Sequence, residues 1–432
     1  FAPLHLIAWP LLENSVLVPF SDMCSVARAS VGVGFAAAGY AYWWHSRPPV
    51  VVVGGGVMGL CTAERLARAG RKVILLDADH PIRGSWGVSR ASHVRMEDPT
   101  LLKMSLFSIR HWIGLQSRYS SHCNSDDDSL FYRRTGGMMA GPKDAMIALA
   151  DAVRRELGQA PEAELEILSS SEALERFPQI RLDDSERLVY MPEGYTMVVP
   201  TCLDCLKWAA DTAGVRREEG TVSSIDRARK AITTDCGRTF KYSDLVLTAG
   251  PWTNNVLAAA SLNGVPMMVS NEQTVELIPK PGAPSYDWDA FPLFTWSEAG
   301  YKGRGKDGGC RYFYTTPHVT IPSSGSAGVK IGFHRQGALL DNQEFQITEQ
   351  GHAMISKLPH IRKDTHSKQQ YEFDEFAWQN VQEFVREKMP GLEAGKCEGF
   401  MRCLYQMTPD LRMIVGRHPQ DESICFACGF SG

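Results

Sequence analysis

The chain has 432 residues, with 45 basic and 49 acidic side chains and a formal net charge of −4. No basic stripe runs through it, so nucleic-acid binding has no electrostatic support. Eleven cysteines, an odd number scattered along the chain, argue against a disulfide framework and for a reducing intracellular compartment.

Residues 1–47 are set apart from the fold as a targeting, anchor or extension segment. Within them, residues 29–44 form an apolar run flanked by Arg28 and by His45 and Arg47, and Cys24 to Pro49 contains no Asp or Glu. The run is short for a membrane span of about 20 residues. It reads as a signal core, a short anchor or part of a transit segment, so membrane association and targeting stay open.

Val50 to Val53 are four β-branched residues in a row, a pattern suited to a parallel strand covered on both faces. Gly54, Gly56 and Gly59 then fill a G-x-G-x-x-G, and a helical pattern follows with Leu60, Ala63 and Ala67 on one face and Gly70 at its end. A second apolar run, Val73 to Leu76, ends in Asp77. In such a unit the first glycine makes the tight turn, the second admits a pyrophosphate to the backbone, and the third lets helix and strand pack closely. The helix N-terminus offers N–H groups to phosphate, and Asp77 can accept from ribose hydroxyls. An adenine dinucleotide is expected here; these residues alone leave FAD or NAD open.

After Asp77, His80 to Arg95 has loop composition with several cationic or titratable side chains. Residues 99–120 return to helical spacing, and Asp126, Asp127 and Asp128 mark an exposed turn. Phe131 to Ala140 reads as a strand, Ala145 to Leu157 as a helix and Thr201 to Ala213 as an amphipathic helix begun by Pro200. Leu245 to Leu247 is a further buried strand ending in Thr248-Ala249-Gly250-Pro251-Trp252, small residues that let backbone approach a ligand. Residues 263–345 are strand-rich, 346–390 mostly helical and polar, and 399–432 strand and turn. The pairs Cys202/Cys205 and Cys425/Cys428 lack histidines at finger spacing and read as buried thiols, with no metal site expected. The chain leaves its nucleotide unit and comes back to it, which implies an interleaved two-domain α/β protein.

Several stretches, in order, resemble the sarcosine oxidase and pipecolate oxidase group of D-amino-acid-oxidase-like FAD oxidoreductases. Gly84-Ser85-Trp86-Gly87-Val88-Ser89-Arg90 is similar to its G-S-x-H-G-x-[ST]-R loop, and Thr248 to Thr253 to its second flavin-contacting strand end. Tyr314-Thr315-Thr316-Pro317 and Val329 to His334 are similar to its Y-G-x-P and K-x-G-x-H strands. Arg402 to Asp410 resembles the C-x-Y-x-x-T-x-D segment of the covalent flavin cysteine, and Gly429 to Gly432 the start of G-F-S-G-H-G-F-K.

The resemblance implies a Rossmann-like FAD-binding domain (48–130, 196–262 and 396–432) interleaved with a mixed-sheet α+β substrate domain (131–195 and 263–395). FAD contacts would come from Gly54, Gly56, Val57, Met58, Gly59, Asp77, Ser85, Ser89, Arg90, Val222, Ala249, Gly250, Trp252, Gly429 and Phe430, with Cys403 as a thioether to the flavin. Lys330 would help oxygen accept an electron. His334, on the same strand face, would be a polar or acid–base group, Tyr314 a wall and Arg90 a cation beside the flavin. Departures are visible as well. Trp86 stands where the group has His. His93 occupies the position of the arginine that grips the substrate carboxylate, so either Arg95 takes that role in a shifted register or His93 does, with the guanidinium fork lost. The chain begins without Met and stops before the H-G-F-K lysine, so it reads as a fragment at both ends.

The implied activity is oxidation of a secondary amino acid (sarcosine, pipecolate or a similar N-alkyl amino acid) to an imine, with O2 reduced to H2O2, by a monomer of the peroxisome, another organelle or the cytosol. Three other readings stay open: a dehydrogenase of the same fold serving a quinone or protein acceptor, an NAD-dependent dehydrogenase, and a non-catalytic flavin-binding protein.

Overall fold

Val50–Val53 forms a strand buried on both faces, paired in parallel with Val73–Asp77 on one side and with Leu245–Leu247 on the other. Arg216–Glu219 and Asp421–Cys428 extend this sheet in parallel, and Ile414–His418 closes one edge antiparallel. The helix Val57–Arg68 joins the first two strands, burying Leu60 and Ala63, and packs with Val199–Thr212 on one side of the sheet. The computed structural model describes residues 47–79, 84–85, 87–93, 99–125, 131–158, 164–298, 311–321, 325–334, 337–339, 345–347, 353–355 and 373–430. Residues 49–432 form one compact unit. The apolar run at 29–44, Trp86, Arg95 and the Asp126–Asp128 turn lie outside the described residues. Among the described residues no helix is long and apolar enough to cross a membrane.

The second sheet is mixed. The ten-residue strand Met268–Leu277 pairs antiparallel with Val329–Phe333 on one side and with Gly399–Met407 on the other. Beyond Val329–Phe333 come Tyr312–Thr316, Leu293–Ser297, Gly137–Pro142 and Glu186–Met191. Alternation along these strands divides the sheet into two unlike faces. Val275, Leu277, Phe313, Val329, Ile331 and Phe333 pack against Trp378, Val381, Phe384 and Val385 of the helix Glu375–Lys388. The Phe313 and Phe384 rings stack with centroids 4.3 Å apart. The opposite face carries Glu272, Glu276, Tyr314, Thr316, Lys330, His334, Cys403 and Tyr405.

Three expectations change. The strand expected over 131–140 is two strands in two sheets, Tyr132–Arg134 and Gly137–Pro142. Gly136 turns the chain between them at φ +77°, and a Cβ there would stand 2.8 Å from the Tyr190 ring. Helix does not run through all of 346–390: Phe345–Ile347 and Ala353–Ile355 pair as strands, and the helix is Glu375–Lys388, capped by Asp374. Within the block 396–432, assigned to the nucleotide domain, Gly399–Met407 belongs to the second sheet, because nine consecutive positions pair with Met268–Leu277. Among the described residues of this block, only 414–418 and 421–428 join the first sheet.

A charged cluster closes the far end of the second sheet. Lys388 Nζ lies 2.8 Å from both Asp183 and Glu186 carboxylates, and the Trp296 indole N–H donates to Glu186 at 2.6 Å. Lys388 and Glu186 are both buried. Removing the cation alone strands a buried carboxylate, which costs about 3–5 kcal/mol. Lys388→Met is therefore expected to lower the urea unfolding midpoint sharply, and adding Glu186→Gln to recover part of the loss.

Candidate active site

The glycine turn is shaped by what its side chains would strike. Gly54 sits at φ +106°, and a Cβ there would come within 2.4 Å of the Thr248 carbonyl oxygen; at Gly59 it would stand 1.7 Å from the Gly54 oxygen. Thr248 Oγ1 donates to the Val53 and Gly54 carbonyls at 2.9 and 3.1 Å, which fastens the turn to the end of Leu245–Leu247. The helix Val57–Arg68 starts from extended Gly56 with no acidic residue in its first turn. Asp77 stands beside Gly55, whose absent Cβ would be 2.7 Å from its Oδ2. A narrow backbone cradle, a helix N-terminus and an acid at the second strand end suit an adenine dinucleotide.

The loop from Gly84 to Ser89 joins this turn to the polar face of the second sheet. Ser85 Oγ accepts from the Val57 N–H at 3.0 Å. Gly87, at φ +112°, presses on Met401: a Cβ would meet its Cε at 2.6 Å. Ser89 Oγ shares a hydrogen bond with Thr316 Oγ1 at 2.7 Å, and the Lys330 ammonium donates to the Ser89 carbonyl. Arg90 donates to the Ser89 and Gly84 carbonyls at 3.0 and 3.3 Å. Gln406 makes the second seam: its Oε1 accepts from Gly429 N at 3.2 Å, and its amide faces Gly250.

Lys330 is 3 % exposed and Cys403 is 4 % exposed. Burial first, then Arg90, pushes the Lys330 ammonium well below the usual lysine range, while Cys403 and Glu276 act to raise it. Burial raises the Cys403 thiol, with Arg90 pulling the other way most strongly. Tyr314 and Tyr405 share a hydroxyl–hydroxyl bond of 3.2 Å, and His334 Nδ1 lies 3.3 Å from the Tyr405 hydroxyl. Desolvation raises both phenols, so they stay protonated at neutral pH. The face thus joins a buried ammonium, a buried thiol and a His–Tyr–Tyr relay.

Of the residues named from sequence, Gly54, Gly56, Val57, Gly59, Asp77 and Ser85 cluster at the turn, while Ser89, Arg90, Lys330, Tyr314, His334 and Cys403 meet on or against the polar face. Met58 is 39 % exposed on the helix. Ala249, Gly250 and Trp252 form the short helical turn after Leu245–Leu247, and Gly429 and Phe430 follow the parallel strand Asp421–Cys428. Val222 opens a separate three-stranded meander packed on the core of the first sheet. His93 pairs through its backbone with Gly194; its side chain and all of Arg95 are outside the described residues. Cys202 and Cys428 are buried, and burial pushes Cys205 and Cys428 up to about 12. The sequence reading left out Tyr405, Thr316, Glu272 and Glu276. Tyr405 was findable, because two residues from Cys403 on a strand is the same face.

The family description FAD dependent oxidoreductase (DAO) matches residues 49–432. The chain belongs to the FAD-dependent oxidoreductase family. This oxidoreductase is similar to the monomeric sarcosine oxidase of Arthrobacter sp., 24% identical over 396 residues that cover 89% of this chain and 87% of the relative. The peroxisomal sarcosine oxidase of Homo sapiens is 25% identical over 390 residues, 88% of this chain and 87% of that one. A fructosyl peptide oxidase thermally stable mutant shares the fold, with a TM-score of 0.65, 17% identity and coverage of 89% of this chain and 86% of that one. The cofactor is therefore FAD, and the glycine cradle, helix N-terminus and Asp77 are the residues that fit its dinucleotide half.

Gly59→Ala is expected to abolish flavin retention, since its Cβ cannot be accommodated against Gly54. Met58→Ala, at an exposed position, is expected to retain it. The ratio of visible to ultraviolet absorbance after purification, with circular dichroism to confirm folding, checks both.

Proposed function

We propose that this oxidoreductase converts a secondary amino acid (sarcosine, pipecolate or a similar N-alkyl amino acid) to an imine, with O2 reduced to H2O2. The observation that carries this reading is the single polar sheet face on which Lys330, Cys403, Tyr314, Tyr405 and His334 gather beside Arg90. The sarcosine oxidases among its relatives support the substrate class.

Bound FAD supplies the two-electron acceptor. Cys403 would hold it by a thioether, its S–H exchanged for an S–C bond with O2 as the two-electron oxidant. Lys330, held by the Ser89 carbonyl, stabilises negative charge developing on oxygen. The His334–Tyr405–Tyr314 relay orients the amine and holds a proton at the Tyr405 hydroxyl. The substrate carboxylate falls to Arg95 or to His93; whichever of Arg95→Ala and His93→Ala raises KM for sarcosine far more than the other identifies the group.

Acid precipitation is expected to give a yellow pellet from the wild type and a colourless one from Cys403→Ala that was yellow before acid. A colourless wild-type pellet would end the tether. Lys330→Met is expected to slow reoxidation under air by about 10²–10³-fold while anaerobic reduction by substrate persists; peroxide measured under air separates an oxidase from a dehydrogenase. Because the cation is the useful form and burial lowers its pKa, wild-type reoxidation should fall with rising pH well before the ordinary lysine value of about 10.4. Stopped-flow measurement across pH checks this.

A further inference from the structure

The polar face holds a carboxylate that none of these steps uses. Glu276 lies directly opposite Lys330 in the antiparallel pairing of Met268–Leu277 with Val329–Phe333. Directly opposed side chains share a face, with Cβ atoms roughly 4.5–5.5 Å apart. Glu276 is half-buried, and its carboxylate accepts a hydrogen bond from the Gly328 N–H, two residues before Lys330. The Lys330 ammonium donates to the Ser89 carbonyl and not to this carboxylate. Glu276 therefore acts on the ammonium through space.

The other groups around Lys330 can be taken strand by strand. Ser89–His93 brings Arg90, whose charge opposes the ammonium. Gly399–Met407 brings Cys403 and Tyr405, and Tyr312–Thr316 brings Tyr314 and the neutral Thr316. The thiol and both phenols are raised by burial, so all three are uncharged at neutral pH, and the Cys403 thiolate that would raise the ammonium is not formed there. His334 follows on the same strand as Lys330, bonded to Tyr405. Glu272 sits two strand repeats further along, opposite Cys403, tied to Ser270 and to the Gly337 N–H. Glu276 is thus the carboxylate placed to offset Arg90 and desolvation. The effect is mutual: burial raises the Glu276 carboxyl and Lys330 lowers it.

We propose that Glu276 is the positioning residue that keeps Lys330 protonated, and so sets the upper pH at which the site serves oxygen. This rests on the reading of Lys330 given above. Removing the carboxylate takes away an attraction that raises the ammonium, so the proton leaves at lower pH.

The test compares holoenzyme of wild type, Glu276→Gln, Glu276→Asp and Lys330→Met, each first checked for equal flavin content. Two readouts are followed: the visible absorbance of the oxidised flavin titrated with pH without substrate, and the pH profile of reoxidation by O2. In Glu276→Gln a Lys330-dependent spectral transition and the basic limb of reoxidation are expected to move down together by about one pH unit, a tenfold slower reaction above the limb. Glu276→Asp should restore most of the shift, and Lys330→Met should lack the transition. Glu276→Gln profiles that superimpose on wild type would overturn the proposal. Wild-type reoxidation by Lys330→Met would instead overturn the role of Lys330, and the inference with it.

Discussion

A buried ammonium is costly unless polar groups surround it, and meeting that cost organises the centre of this oxidoreductase. Lys330 points away from the phenylalanine-rich side of its sheet because its neighbours Val329 and Ile331 point into it. The Ser89 carbonyl accepts its hydrogen bond, and Ser89 is itself anchored through its hydroxyl on Thr316. These two hydrogen bonds dock the loop after the glycine turn onto the second sheet. The strand that carries Cys403 is placed by the same sheet, nine positions long in its pairing with Met268–Leu277.

Side-chain contacts tie the glycine turn and its helix to the segments that reach the second sheet. Thr248 holds the turn glycines to the strand end at Leu247, Ser85 links the helix start to the Gly84–Ser89 loop, and Gln406 bonds Gly429 beyond the parallel strand Asp421–Cys428. Of these, Gln406 is the direct bridge, since its strand lies in the second sheet and Gly429 follows a strand of the first. In the proposed reading the first sheet serves the cofactor's dinucleotide half and the second its reactive ring, and the residues between them would set their relation. Behind the polar face, the Phe313–Phe384 and Phe313–Phe333 stacks make the sheet a stiff support.

Much of this was legible in the chain. Val50 to Asp77 could hardly be anything but strand, glycine turn, helix and strand, since period, turn residues and terminal acid all agree. Lys330 and His334 could be put on one face by counting alone. Reading failed where long-range pairing overrode local pattern. Phe131 to Ala140 is continuous by propensity yet is split by Gly136, and Gly399–Met407 looks like part of the returning nucleotide unit yet pairs elsewhere. Glu272 and Glu276 sit in a run that reads as strand, but nothing in that run says what lies opposite.

The sequence by itself determined the local devices: a dinucleotide turn whose glycines answer to steric limits within a few residues, and strands whose faces follow from a period of two. The tertiary structure alone decided which faces meet. That Glu276 stands across from Lys330, Glu272 across from Cys403, and the Ser89 carbonyl against a lysine 241 residues away depends on strand register. Register is a property of pairs of segments, and no single segment encodes it.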